Sequence, residues 1–156
     1  MQAVGNSADN MIVGNIGDNV ISGGLGSDVL TGLGGRDRFM FPTLGDSLVG
    51  QGVQQRFDRI TDFAIGTDII DGPSAVARGQ VSLLSSVVAL DSVSLGTRLT
   101  SSLFRANGAA AFSLNSNGSQ RWFVALNDAV SGFDPARDAL IEITGFTGEI
   151  ANLQVV

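Results

Sequence analysis

Short apolar clusters recur with a period of nine residues near the start of the chain, and polar stretches rich in glycine separate them. The clusters are Met11–Val13, Val20–Ser22, Val29–Thr31 and Arg38–Met40. Side chains alternate between the two faces of a β-strand, so each cluster predicts a short strand whose middle residue is buried. These middle residues are Ile12, Ile21, Leu30 and Phe39.

The polar stretches have fixed residue types at three positions of the nine-residue repeat. The first position is glycine in all four repeats (Gly5, Gly14, Gly23 and Gly32), and the fourth is Ala8, Gly17, Gly26 and Gly35. Glycine permits the tight turns that short strands need. We predict that two repeats form one coil of a flattened parallel solenoid, with repeats one and three on one edge and repeats two and four on the other.

The sixth position of the repeat supplies candidate metal ligands. It is Asn10, Asn19, Asp28 and Asp37 in turn. Stacked coils lie ~4.8 Å apart, so Asn10 is expected to face Asp28, and Asn19 to face Asp37. Backbone carbonyls freed by the glycine turns would point into the same gaps. Oxygen ligands without nitrogen or sulfur suit Ca²⁺.

The predicted calcium site therefore combines side chains and turns. Its residues are Asn10, Asn19, Asp28 and Asp37, the turn residues Gly5, Gly14, Gly23, Gly26, Gly32 and Gly35, and the fifth-position carboxylates Asp9 and Asp18. Each gap holds one Asp and one Asn, which predicts weak binding, with a dissociation constant of about 10⁻⁴–10⁻³ M. A solenoid whose turns close through asparagine ladders, without metal, is the alternative.

The third repeat, Gly23–Thr31, follows the pattern G-G-x-G-x-D-x-U-x at every fixed position. It resembles the RTX nonapeptide of secreted bacterial calcium-binding proteins, and the other three repeats depart from it at one or more positions. The resemblance implies a calcium-binding β-roll and export by the type I secretion machinery with an uncleaved C-terminal signal. The chain begins without a basic, apolar leader, which agrees with export without a cleaved N-terminal signal.

Pro42 and Gly45 are expected to end the repeats, and an Asp-rich segment, 56–71, follows. This segment is similar to the one after the last repeat in serralysin-type proteases, which implies that it closes the roll and leads into a β-sandwich-like cap. Asp58 and Asp62 are further candidate metal ligands. Alternatively, the segment's carboxylates (Asp58, Asp62, Asp68 and Asp71) pair with Arg36, Arg38, Arg56 and Arg59.

The second half of the chain is expected to form mostly strands. The expected elements are a helix over Leu99–Arg105, strands 110–115 and 121–126 joined by a hairpin turn at Asn117-Gly118, and final strands over 139–146 and 150–156. Residues 123–148 resemble the bluetail C-terminal domain of cyanobacterial surface proteins. Asp128, Asp134 and Asp138 either form a second calcium site or cap the loop that contains them.

These elements predict an all-β fold in which a short parallel β-roll continues into a β-sandwich-like C-terminal region with one short helix. Residues 1–41 would form the RTX repeats and residues 42–156 the bluetail-like region, packed as one continuous unit.

Composition narrows the chemistry that the chain can perform. The 156 residues contain no Cys, His or Lys and have a net charge of −6. Thiolate, His-based and Lys-based catalysis are excluded, and the negative charge argues against a nucleic-acid partner. No apolar run approaches the ~20 residues of a transmembrane segment. We expect no enzyme activity, with a carboxylate-only hydrolase as the remaining catalytic alternative.

The expected function is that of a secreted calcium-binding structural protein of the cell surface or extracellular matrix, which folds when it binds calcium outside the cell. Uncapped solenoid ends and an apolar outward face (Met11, Val13, Val29 and Thr31) predict self-assembly into an oligomer, filament or layer. The alternative is a type I secretion and folding module without activity of its own.

Overall fold

Two β-sheets make up most of the molecule. The computed structural model describes residues 1–48, 56–74, 76, 81–87, 89–116, 119–143 and 145–156. The strands are β1 (Gln2–Asn6), β2 (Met11–Val13), β3 (Val20–Gly24), β4 (Val29–Thr31), β5 (Arg38–Met40), β6 (Asp58–Ile60), β7 (Ile69–Asp71), β8 (Val81–Leu83), β9 (Ala109–Ser116), β10 (Ser119–Leu126) and β11 (Ala139–Ile143). Their order is β1-β3-β5-β7 in one sheet and β2-β4-β6-β11-β10-β9-β8 in the other.

The N-terminal repeats form the predicted parallel roll. Successive strands lie in opposite sheets, and each pairs in parallel with the strand of the next coil. Ile12 is in register with Leu30 in one sheet, and Ile21 with Phe39 in the other. The expectation of an all-β fold with a parallel β-roll is confirmed.

The roll extends beyond the four repeats. After β5 the chain forms a 3₁₀ helix, Leu44–Ser47, and then adds a third coil, in which β6 pairs with β4 and β7 pairs with β5. The expectation that Pro42 and Gly45 end the solenoid is therefore wrong, because both sheets continue with β6 and β7. We call the segment between β5 and β6 the excursion. Ser47 joins the excursion to the sheet, since its hydroxyl accepts from the Asp58 N–H (2.7 Å) and donates to Leu140 O (2.6 Å).

The C-terminal strands extend one sheet of the roll edge to edge. β11 pairs in parallel with β6, and β10 pairs antiparallel with both β11 and β9. The β9–β10 hairpin is the predicted one, with Ser116 in register with Ser119, and its Asn117-Gly118 turn lies outside the described residues.

Two C-terminal elements differ from expectation. The α-helix is α1 (Ser92–Arg98), whereas Leu99–Arg105 forms irregular turns. The helix begins earlier because the Asp91 carboxylate accepts from the Ser94 N–H (2.7 Å) and caps its first turn. The last residues form a short 3₁₀ helix, Ile150–Asn152, in place of a strand, followed by a single bridge from Val155 to Ile70.

Two apolar clusters lie on opposite faces of the seven-stranded sheet. The inner cluster, between the sheets, includes Leu30, Phe39 and Ile60, whereas the outer cluster packs Leu95 of α1 against Phe112 of β9. On the predicted apolar outward face, the side chains of Met11 and Val13 are 79% and 53% exposed, whereas those of Val29 and Thr31 are half-buried.

Replacing Phe39 by Ala is expected to lower the free energy of unfolding by about 3–5 kcal/mol, because a fully buried aromatic side chain would leave a cavity between the sheets. The matched control is Met11→Ala, on an exposed strand position, with an expected change within about 0.5 kcal/mol. Urea denaturation in calcium buffer measures both. Equal effects of the two substitutions would contradict the inward position of Phe39.

Candidate calcium sites

Stacking of the coils aligns sixth-position residues into a column on each edge of the roll. On the first edge the backbone N–H of Asn10 donates to Asp28 Oδ1 (2.7 Å), and the N–H of Asp28 donates to Asp58 Oδ1 (2.8 Å). We call Asn10, Asp28 and Asp58 the first-edge ladder. It brings Asn10 and Asp28 together as the sequence predicted, and the third coil adds Asp58.

The second edge has a ladder of the same form. The N–H of Asn19 donates to Asp37 Oδ1 (2.9 Å), and the N–H of Asp37 donates to Asp68 Oδ1 (2.9 Å). Asn19, Asp37 and Asp68 are the second-edge ladder. The predicted pair of Asn19 and Asp37 is again side by side, and the third coil adds Asp68, one of the carboxylates that the sequence placed in segment 56–71.

The fifth-position carboxylates also join adjacent coils through the backbone. Asp9 Oδ1 accepts from the Ser27 N–H (2.9 Å), and Asp18 Oδ1 accepts from the Arg36 N–H (2.8 Å). Each carboxylate uses this oxygen to hold the turn of the following coil. A role for Asp9 or Asp18 as a calcium ligand stays a prediction.

The glycine turns let the ladder oxygens approach the backbone closely. A methyl group at Gly5 would overlap Gly23 O and Asn10 Oδ1, and one at Gly23 or Gly32 would overlap the carboxylate of the same repeat. At Gly14 it would lie 2.6 Å from Gly32 O. Side-chain and carbonyl oxygens therefore share narrow spaces that only glycine leaves open.

The other two predicted turn glycines are needed for their backbone conformation. Gly26 and Gly35 have φ angles of +135° and +104°, in the region that residues with side chains rarely adopt. These glycines shape the turns that present the carbonyl groups. Whether the predicted glycine carbonyls bind metal stays a prediction.

The first-edge ladder holds two buried carboxylate oxygens without hydrogen-bond partners, namely the Oδ2 atoms of Asp28 and Asp58. The two residues are 1% and 0% exposed. Burial raises the pKa of both carboxyl groups, and it raises the pKa of Asp58 to about 8. Repulsion from Asp9 and Asp46 adds to both shifts. Such a site favours either protons or a cation.

Sequence analysis missed the contribution of Asp46 to this negative potential. Its carboxylate accepts from the Thr43 N–H (2.9 Å) and from the Thr43 hydroxyl (3.0 Å), so it caps the 3₁₀ helix at the start of the excursion. The Thr43-x-x-Asp46 spacing indicates such a cap. That the excursion returns against the first-edge ladder depends on tertiary packing and is not visible in the sequence.

The remaining carboxylates of segment 56–71 bind mostly backbone groups. Asp62 accepts from the N–H groups of Gly32 (3.0 Å) and Leu33 (2.7 Å). Asp71 pairs with Arg38 (2.8 Å), and among the described residues this is the only one of the predicted Arg–Asp pairs that forms. Asp58 and Asp62 as metal ligands stay predictions.

The loop between β10 and β11 is closed by Asp138. This buried carboxylate accepts from the N–H groups of Asp128 (2.9 Å) and Asp134 (2.6 Å), while Arg137 pairs with Asp128 (3.4 Å). Burial raises the pKa of Asp138 to about 6. The arrangement is that of a capped loop, the second of the two alternatives for these three aspartates.

The chemistry of the first-edge ladder fits calcium, because its unpartnered atoms are carboxylate oxygens, which are ligands that calcium prefers. Carboxylates alone do not complete a site: over the described parts of the chain, no group of three or more His, Cys, Asp or Glu residues is placed to hold a metal. Carbonyl oxygens of the turns would have to supply the remaining ligands.

Without divalent cations, the free energy of unfolding is expected to fall as the pH rises from about 4 to about 8. Folded Asp58 and Asp138 hold protons up to about pH 8 and 6, whereas the unfolded chain releases them near 3.8, so protonation favours the folded state below these values. Asp58→Asn should flatten the upper part of the profile, and the exposed Glu149→Gln should leave it unchanged. Urea denaturation in chelator measures it, and stability that rises with pH would contradict the assignment.

Comparison with known proteins agrees with the repeat. Residues 4–39 match the RTX calcium-binding nonapeptide repeat, in four copies. No curated protein is significantly similar to the chain. A similar solved structure is the AlgE6R2 subunit from the Azotobacter vinelandii mannuronan C5-epimerase, at 20% identity and a TM-score of 0.47, over 98% of this chain and 91% of that chain.

The family match confirms the predicted RTX repeats and Ca²⁺ as the ion that such repeats bind. The repeat is a calcium-binding module and not a catalytic one. The serralysin-like and bluetail-like resemblances of the later segments stay predictions. Residues 4–39 of this chain match the RTX calcium-binding nonapeptide repeat and fold as the first two coils of a parallel β-roll.

Proposed function

We propose that the chain is a calcium-binding structural module that acts outside the cell and completes its folding there when calcium binds. The supporting observation is the pair of buried, unpartnered carboxylate oxygens of Asp28 and Asp58 on successive coils. In the calcium-free protein these groups repel each other or must take up protons. A divalent cation between the coils removes both penalties.

The expected affinity couples folding to location. With a dissociation constant of about 10⁻⁴ M, calcium at ten times that concentration stabilises the folded state by about 1.4 kcal/mol per site, whereas sub-micromolar calcium adds almost nothing. The chain would stay loosely folded before export and become compact afterwards. The type I secretion machinery is the proposed transport partner, and export is proposed to need no cleaved N-terminal signal.

One general observation agrees with a role outside the cell. RTX repeats are typical of exported proteins. In the described part of the chain, no helix has the length and apolar character needed to cross a bilayer. A secretion and folding module without its own activity is the alternative function. A carboxylate-only hydrolase is disfavoured, because the Asp28 and Asp58 side chains are enclosed between coils.

Self-assembly through the first coil is the second part of the proposal. β1 and β2 are the outer strands of their sheets, so among the described residues no strand pairs with their outer edges, and the exposed side chains of Met11 and Val13 belong to β2. The opposite edge of β7 is covered, since Ile70 exchanges backbone hydrogen bonds with Gln154 and Val156. A contact through the first coil would therefore pair two first coils, and a filament or layer would need a further contact.

Calcium at millimolar concentration is expected to raise the melting temperature of the wild-type protein and to increase the secondary-structure signal in its circular dichroism spectrum. Asp28→Asn should lose most of this gain, although in chelator it should melt no lower than wild type, because the amide oxygen still accepts from Asn10 and one of the two neighbouring buried carboxylates is removed. Glu149→Gln has the same charge change on an exposed residue and should keep the gain. A wild-type melting temperature that does not change when calcium is added would refute the proposal.

Sedimentation velocity tests the assembly. In millimolar calcium the protein is expected to sediment as an oligomer, and Met11→Lys should shift it toward monomer, because a charge on an edge strand opposes pairing. Val130→Lys is the control, since Val130 is also exposed (57%) but lies in the loop after β10. A strict monomer in calcium would contradict self-assembly while leaving calcium-dependent folding intact.

A further inference from the structure

The amide of Asn19 is in an unusual position in the gap between the second and fourth repeats. The residue is 1% exposed. Its Nδ2 atom lies within hydrogen-bond distance of four oxygens: Asn15 O (3.0 Å), Gly17 O (2.5 Å), Gly32 O (3.1 Å) and Asp37 Oδ1 (2.6 Å). Three of these are carbonyl oxygens and one is a carboxylate oxygen.

The orientation of the amide is fixed by its partners on both sides. Asn19 Oδ1 accepts from the Asn15 N–H (3.2 Å), while Nδ2 faces the four oxygens. Reversing the amide would place one oxygen against four others and would lose the bond from Asn15. The nitrogen is therefore at the centre of the oxygen cluster.

An oxygen cluster of this composition has the ligand chemistry of a calcium site, but its centre is filled. An NH₂ group has only two hydrogens for four acceptors, so it stabilises the four oxygens mainly through the partial positive charge of its hydrogens. The backbone of Gly14 packs directly against the amide, because a methyl group at Gly14 would lie only 2.9 Å from Asn19 Nδ2. The residues around Asn19 do not fit a cation while the amide is there.

The first edge differs at the equivalent position. Asn10 Oδ1 accepts from the Asn6 N–H (2.9 Å), as Asn19 Oδ1 does from Asn15, but Asn10 is less deeply buried, and among the described residues its Nδ2 has no hydrogen-bond acceptor. The orphaned carboxylate oxygens also belong to the first edge, at Asp28 and Asp58. On the second edge Asp68 uses both oxygens, accepting from Asp37 (2.9 Å) and from Ala64 (2.8 Å).

We propose that the Asn19 amide takes the place of a cation in the gap between the second and fourth repeats, so that this gap closes without calcium. The inference rests on the proposed function, because it divides the roll into a part that forms without calcium and a first edge that calcium completes. The preformed gap would hold β3 and β5 in register before the ion arrives. It also revises the expectation that Asn19 and Asp37 bind calcium together.

Hydrogen exchange of the wild-type protein, followed by NMR with and without chelator, tests this directly. In chelator the N–H of Asn19 is expected to be protected already, whereas the N–H of Asp28 should gain at least about tenfold in protection when calcium is added. Protection of Asn19 that appears only with calcium would overturn the inference and leave the proposed function standing. An Asn19 N–H that exchanges freely both with and without calcium would also overturn the inference, whereas an Asp28 N–H that calcium does not protect would overturn the proposed function.

Substitution of the two asparagines gives an independent test. Asn19→Asp places an oxygen against the four oxygens, so it should lower the melting temperature in chelator more than Asn10→Asp, the same change at the same repeat position. In calcium, Asn19→Asp should recover and bind about one more ion than wild type by calorimetry, as expected for an oxygen-only site. If the two variants lose equal stability in chelator, or if Asn19→Asp gains no ion, the inference is wrong.

Discussion

The stacking of the coils depends on hydrogen bonds from the backbone of one coil to carboxylates of the next. In both ladders the N–H at a sixth position donates to a carboxylate of the following coil. Such charge-assisted bonds are stronger than neutral ones, and they fix the register of the short strands. The same bonds align carboxylates of successive coils in a column that water does not reach. The hydrogen bonds that order the roll are therefore also the reason why its carboxylates need a positive charge nearby.

The third coil makes the two edges unequal. Asp68 lies in a tight turn where the Ala64 N–H takes its second oxygen, so its carboxylate is fully bonded. Asp58 enters β6 directly after the excursion, and its second oxygen is buried without a partner. Of the other buried carboxylates, Glu142 pairs with Arg121 (2.5 Å), and Asp138 has both oxygens bonded to backbone N–H groups. The uncompensated charge is concentrated at the first edge, which is where a cation gains most.

The period of nine predicted the roll well, because in a solenoid the sequence separation fixes which residues face each other. Asn10 lies beside Asp28 for this reason. Beyond Met40 the period ends, and the errors begin there. Asp62 binds backbone N–H groups of the preceding coil, which no charge pattern indicates, and the helix begins after Asp91 because of a cap that competes with several similar ones in a Ser-rich stretch. The repulsion between Asp46 and the first-edge ladder depends on tertiary packing, which local sequence patterns do not predict.

Both asparagines of the ladders belong to the first coil, and every deeper rung is an aspartate. β2, which follows Asn10, is the outer strand of its sheet, and β3, which follows Asn19, has only β1 before it in the other sheet. A carboxylate at Asn10 or Asn19 would repel the one on the next coil, and among the described residues no earlier ladder residue donates an N–H to either side chain. With asparagine at these positions the backbone N–H still donates to the next coil, and the side chain adds no charge. The two asparagines thus confine the charge of the ladders to the later coils, where a cation can be shared.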